Sequence, residues 1–202
     1  LEINETALPL ANPNYWGKTA TMTIGYGHGF SITPLHLCQA YSSIVNGGFM
    51  IKPTLLMNKK LDSYRIIKNS TSEQIRKLLR SVILETDYTG PRAKILGYDL
   101  GGKTGTAELI ENGKYNKKAN RAIFISVFPI SNPKYVVLAI IDDPKKIKEE
   151  NYSITSATVT VPLVKKIILN MIKILNIPAF TDYIMEKADN TQYSIMNNNV
   201  TL

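Results

Sequence analysis

The sequence predicts an α+β fold in which a mainly antiparallel sheet is flanked by helices. Three consecutive segments, near residues 98–110, 121–130 and 134–142, read as strands. The first two are joined through Asn112-Gly113, an Asn-Gly turn of hairpin type, and the second and third meet at Ser131-Asn132-Pro133. Helical periodicities stand before and after this block.

In chain order, Thr33 followed by Pro34 forms an N-cap with proline at the first helical position. Leu35, Cys38, Tyr41, Ile44 and Val45 recur at helical spacing, and Gly47-Gly48 ends the helix. Ser70 and Glu73 fit a capping box, after which Ile75, Leu78, Leu79, Val82 and Ile83 mark an amphipathic helix. The three strands follow. A last helix is expected from Ser156 to about Asn176, with Pro162 tolerable only near its start. Residues 179–202, ending in Asn197-Asn198-Asn199-Val200-Thr201-Leu202, read as a C-terminal tail behind a domain portion spanning 1–178. No internal repeat is visible.

Composition narrows the function classes. The 202 residues are 44% hydrophobic and 20% charged, ordinary for a globular protein with a substantial core. No run of eighteen apolar residues occurs, and Leu1-Glu2-Ile3-Asn4-Glu5 is not a signal peptide. The absence of an initial methionine leads us to expect a fragment or a processed product. The formal charge is +8, but Lys59-Lys60, Lys117-Lys118, Lys145-Lys146 and Lys165-Lys166 are dispersed and lack interleaved aromatics. Solvated surface charge, not a nucleic-acid interface, is therefore expected. One cysteine, Cys38, excludes an internal disulfide, and two histidines without a ligand cluster argue against a metal site. No cofactor is expected, since Gly25-x-Gly27-x-Gly29 lacks dinucleotide spacing.

The most informative segment is Tyr98-Asp99-Leu100-Gly101-Gly102-Lys103-Thr104-Gly105-Thr106-Ala107-Glu108. Its two glycines suggest close approach of another backbone or a ligand. Lys103, Thr104 and Thr106 supply one ammonium and two hydroxyls, a set suited to a carboxylate. The rival reading is a P-loop, because Gly97 to Thr104 fits G-x-x-x-x-G-K-[ST] and the apolar run Tyr135–Ile141 ends in Asp142. A P-loop opens a helix, whereas the residues after Thr106 run into the Asn112-Gly113 turn.

K-T-G is one of three motifs of the serine transpeptidases and serine β-lactamases, and the surrounding residues resemble the class B penicillin-binding proteins of peptidoglycan synthesis. Gly25-Tyr26-Gly27-His28-Gly29 and the helix after it, Asn46-Gly47-Gly48 with Ile51-Lys52-Pro53, Phe128-Pro129, Asn132-Pro133 and Ile141-Asp142-Asp143-Pro144 extend that resemblance over about residues 15 to 178. The glycine-aromatic loop is similar to that of the division-specific members. The chemistry needs a serine with a lysine one helical turn on. Only Ser131-Asn132-Pro133-Lys134 fits S-x-x-K, it falls at a strand-to-strand turn, and no S-x-N triplet occurs. The chain thus resembles the C-terminal portion of the transpeptidase domain, with no nucleophile of its own.

The resemblance implies that Lys103 stabilises a substrate carboxylate and the local proton network. It also implies that Thr104 and Thr106 hydrogen-bond that carboxylate, that Gly105 leaves room for the substrate, and that the Thr106 N–H serves as an oxyanion donor. Tyr26 and His28 would border the cleft, although a glycine-rich loop can equally be a tight turn. His36 and Cys38 read as structural. The implied parent is a D,D-transpeptidase facing the periplasm from the bacterial inner membrane. Its partners would be stem peptides, β-lactams, division-complex proteins and a missing N-terminal half. The alternative from another class is a non-catalytic remnant or interaction module with the same fold.

Overall fold

The computed structural model describes residues 17–27, 29–111, 114–145 and 153–179. The chain divides into two compact units, Leu1–Glu73 and Gln74–Leu202.

The first unit holds helix α1 (Lys18–Gly25), helix α2 (Pro34–Val45) and a small antiparallel pair, β1 (Phe49–Ile51) with β2 (Ser63–Arg65). Neither α1 nor this pair is legible in the sequence. α2 starts as its cap dictates: the Thr33 hydroxyl accepts from the His36 N–H at 3.2 Å and pairs with His36 Nδ1 at 2.8 Å. That contact gives His36 its structural role. Cys38 is half-buried on α2, where desolvation pushes its thiol pKa up. Gly47 and Gly48 take φ of 91° and 94°, the left-handed conformation that ends a helix. A side chain at 48 would collide with the Ile67 carbonyl. Helix α3 (Asn69–Leu84) begins one residue before Ser70, so the expected Ser70–Glu73 capping box does not form; the Asn69 side chain bonds Glu73 instead, at 2.6 Å.

The second unit carries the sheet. After the short helix α4 (Gly90–Ala93), strands β3 (Gly101–Glu111), β4 (Lys114–Phe128) and β5 (Tyr135–Asp142) form an antiparallel sheet in the order β3-β4-β5. β4 begins seven residues before its expected start, and the Asn112-Gly113 turn lies outside the described residues. Helix α5 (Ser156–Ile174) follows, with Pro162 inside it rather than in its first turn.

Both faces of the sheet near the start of β3 are covered. Phe124, Phe128 and Ala139 turn toward α5 and pack with Val161, Val164 and Ile168, all buried. On the opposite face, Ile125 and Val127 are buried, and Leu79 of α3 and Ile130 close over Gly101. This layering of helices on a mainly antiparallel sheet is the predicted α+β class. Leu78 departs from the expected helix stripe and stands 66% exposed.

Candidate active site

Lys103 to Thr106 lie inside β3, at the edge of the sheet, and not at a helix N-terminus. This overturns the P-loop reading, whose phosphate cradle needs the first turn of a helix. Asp142, its partner in that reading, is engaged by Arg121, whose Nε and Nη2 donate to the carboxylate at 2.6 and 2.7 Å. The pairing holds the Asp142 carboxyl below the usual carboxylate range.

The glycines before Lys103 answer to the protein's own packing. A Cβ on Gly101 would stand 2.7 Å from Ile130 Cδ1, and one on Gly102 would stand 2.8 Å from both Phe124 Cζ and the Ile125 carbonyl. Of the two occupants the sequence allowed, another backbone or a ligand, the first is met at Gly102 by the β4 carbonyl, and core side chains fill the rest. Gly105 differs: a Cβ there would meet only Ile123 Cβ, at an ordinary 3.6 Å.

Side chains alternate along the strand. Thr104 pairs with Phe124 and Thr106 with Ala122, which puts both threonines on the face turned toward α5, while Lys103 pairs with Ile125 on the other face. Lys103 is exposed and folds back so that its Nζ donates to the Thr104 carbonyl at 2.8 Å. The ammonium thereby reaches the strand edge, although its side chain leaves from the opposite face to the hydroxyls. Thr104 is half-buried, Thr106 is exposed, and among the described residues nothing bonds the Thr104 hydroxyl.

Ser156, the first residue of α5, is 2% exposed and ties the motif to the helix. Its Oγ donates to the Gly105 carbonyl at 2.5 Å, accepts from the Ile123 N–H at 3.2 Å and lies 2.9 Å from Thr106 Oγ1. Gly105 and Ile123 are register partners. Since the Gly105 carbonyl therefore faces β4, the backbone groups of Thr104 and Thr106 face away from it. No strand pairs with that side of β3 among the described residues. The sequence marks Ser156 only as a helix start; a serine there carries no sign of a partner fifty residues upstream.

Tyr26 caps α1 in the first unit and is 73% exposed, between a helix end and glycines of positive φ. His28 lies outside the described residues. Ser131 and Lys134 occupy a bend between β4 and β5 rather than a helical turn, where the Ser131 N–H donates to buried Asp99 at 2.8 Å and its carbonyl accepts from Arg76 at 2.9 Å. The S-x-x-K spacing therefore does not stack lysine over serine. Both residues line a cleft of about 520 Å³ with Pro129, Tyr135 and Pro178, and none of residues 103–106 borders it. Among the described residues no three His, Cys, Asp or Glu side chains come together, and no helix is long and apolar enough to cross a membrane.

Comparison with known proteins bears on the same segment. The family model for the penicillin-binding protein transpeptidase domain matches residues 7–168. Stage V sporulation protein D of Bacillus subtilis is 34% identical over 142 residues, covering 64% of this chain and 22% of the relative. A probable peptidoglycan D,D-transpeptidase FtsI of Caulobacter vibrioides is 32% identical over 158 residues, covering 72% and 26%. The chain thus spans about a quarter of the length of these curated relatives. Penicillin-binding protein 3 of Mycobacterium tuberculosis, solved with aztreonam, superposes with a TM-score of 0.73 at 26% identity, over 86% of this chain and 42% of that one.

Proposed function

Because this chain belongs to the penicillin-binding protein transpeptidase domain family, we propose that β3 is the substrate edge of a D,D-transpeptidase acting on peptidoglycan stem peptides. The observation that carries this reading is the conjunction at residues 103–106. An ammonium, a threonine hydroxyl and outward-facing backbone groups meet on one strand edge, the hydroxyl and the edge both unpaired among the described residues. A strand edge of this kind binds an extended peptide by main-chain hydrogen bonds.

In this reading the Lys103 ammonium and the Thr104 hydroxyl hold the terminal carboxylate of a stem peptide. Gly105 lets the peptide lie against the strand, since its open space serves no packing need of the chain itself. The Thr106 N–H is one of two donors to the oxyanion of the tetrahedral intermediate, where losing a donor costs on the order of 2.7–4 kcal/mol. The nucleophilic serine and its lysine come from sequence beyond this chain, whose one S-x-x-K lies in a strand-to-strand bend. The acyl-enzyme would pass to the amine of a neighbouring stem peptide, and β-lactams would acylate the same serine. Residues 1–178 would form the C-terminal portion of the domain and 179–202 its tail, with Tyr26 and His28 bordering the cleft. The setting is the periplasmic face of the inner membrane during septal synthesis, alongside division-complex proteins.

The test is fluorescent-penicillin labelling of the protein expressed from the complete reading frame that encodes this chain. We expect a covalently labelled band whose formation slows at least about a hundredfold in Lys103→Ala, in the range set by single electrostatic contacts of this kind. Absence of labelling at saturating penicillin would favour the non-catalytic module instead.

A further inference from the structure

Two residues before β3, Asp99 meets the chain leaving β4 twice. Its carbonyl accepts from the Ile130 N–H at 3.0 Å, and its carboxylate accepts from the Ser131 N–H at 2.8 Å. The carboxylate is buried, and Arg80 of α3 stands 3.9 Å from the same oxygen. Arg76, one turn earlier on α3, donates to the Ser131 carbonyl at 2.9 Å. The Ser131 backbone is thus held at both ends, by Asp99 through its N–H and by α3 through its carbonyl.

What this clasp steadies follows from the residues between it and Lys103. Gly101 and Gly102 bring no side chain to the sheet, and glycine has the most backbone freedom to lose on ordering. Ile130, Leu79 and Phe124 forbid side chains at these positions, but a clash excludes alternatives without drawing the strand onto the sheet. Attraction at this end comes from the β4 ladder, from Ser126 Oγ donating to the Gly101 carbonyl at 3.0 Å, and from Asp99. At the other end the β3–β4 register shifts between Glu108 and Leu109, and no strand pairs with the far edge among the described residues. We infer that Asp99 is a positioning residue for the substrate edge: by capturing the Ser131 N–H it fixes the start of β3 to the β4–β5 turn and to α3, so that the glycine pair holds Lys103 and Thr104 in place. This rests on the reading of β3 as the substrate edge. Being buried, Asp99 acts on a ligand only through the backbone of the residues that follow it.

Two measurements on the protein expressed from the complete reading frame test this. The first is amide hydrogen exchange, read residue by residue by mass spectrometry. In the wild type the Ser131 amide, although it lies in an exposed bend, exchanges as slowly as amides of the β4 ladder. In Asp99→Ala the amides of Ser131, Gly101 and Lys103, the last two facing β4, exchange at least about tenfold faster, the value of one hydrogen bond to a charged acceptor. Helix α5 keeps its wild-type protection. Asp99→Asn, which retains an oxygen for the Ser131 N–H, restores the slow exchange. A freely exchanging Ser131 amide in the wild type overturns the inference without any variant. So does a loss of protection in Asp99→Ala that spares Gly101 and Lys103, or one that spreads equally to α5.

The second is the time course of fluorescent-penicillin labelling, which separates how fast each molecule acylates from how many molecules do. Asp99→Ala should lower the rate constant at saturating penicillin about tenfold, less than the roughly hundredfold cost of a full 1 Å misplacement. The final labelled fraction should stay at the wild-type level, and Asp99→Asn should recover most of the rate constant. A smaller fraction labelling at the wild-type rate would show that Asp99 serves folding alone, and it overturns the positioning role. An Asn variant as slow as the Ala variant overturns the route through the Ser131 N–H. If the wild type does not label, it is the substrate reading of β3 that fails, and the exchange pattern alone decides whether Asp99 holds Gly101 and Lys103.

Discussion

The ring of Phe124 occupies the space that a side chain on Gly102 would need, with Phe124 Cζ 2.8 Å from the position of the missing Cβ. Phe124 is 1% exposed and sits in the core beneath α5, so it has no room to retreat. The Ile125 carbonyl, equally close, belongs to the paired backbone of β4 and cannot move without breaking register. Gly102→Ala should therefore destabilise the chain by about 1–3 kcal/mol, the usual cost of overpacking. Urea unfolding measures it; a variant as stable as the wild type would show that the contact relaxes.

Gly105→Ala should behave in the opposite way. Its Cβ would meet nothing closer than 3.6 Å, and its φ lies outside the left-handed region. Stability should stay level or rise by about 0.4–1 kcal/mol through a less flexible unfolded chain. Penicillin labelling of the protein from its complete reading frame should nonetheless slow, because the added methyl stands where the ligand would lie. Labelling at the wild-type rate would remove Gly105 from the substrate edge.

The Arg121–Asp142 pair predicts a small acid-sensitive term. Arg121 donates twice to Asp142 across the β4–β5 register and depresses its carboxyl pKa. A carboxyl whose folded pKa lies below its unfolded value stabilises the fold above the unfolded value, and the contribution disappears as pH falls through the folded one. Both side chains are nearly half exposed, at 45% and 49%, so screening by water and salt limits the effect. Asp142→Asn should cost about 0.2–1 kcal/mol at neutral pH. The gap between variant and wild type should close as pH falls below about 3.9. Urea titrations at several pH values check the sign, and a gap that widens on acidification would contradict the assignment.

The 202-residue chain by itself should form no covalent adduct with a penicillin. Recognition of a carboxylate at Lys103 is not acylation, which needs an activated serine. Ser131 and Lys134 share a bend and not a helical turn. Intact-mass measurement under denaturing conditions, after incubation with a labelled penicillin, gives the answer. A stoichiometric mass increase that disappears in Ser131→Ala would identify Ser131 as a working nucleophile.

Much of this was legible in the sequence because it depends on neighbours along the chain. Thr33-Pro34 starts α2, Gly47-Gly48 ends it, and the apolar runs at 121–130 and 134–142 form strands wherever one face is buried. Lys103-Thr104-Gly105-Thr106 was readable for the same reason: four consecutive residues in an extended segment carry their donors with them. Local pattern had no hold on α1, whose sequence lacks a buried stripe, or on the three-residue strands β1 and β2. It left open what Gly101 and Gly102 make room for, because a glycine vacated for a ligand and one vacated for Ile130, Phe124 or the β4 backbone read alike. Which face of β3 each side chain takes, and that Ser156 reaches back to Gly105 and Thr106, were decided by sheet register and by the docking of α5. The sequence by itself determined the donors on this edge, since those are properties of residue type. The tertiary structure decided which face each donor takes and what it meets there, since sheet register and the docking of α5 bring together groups that lie far apart along the chain.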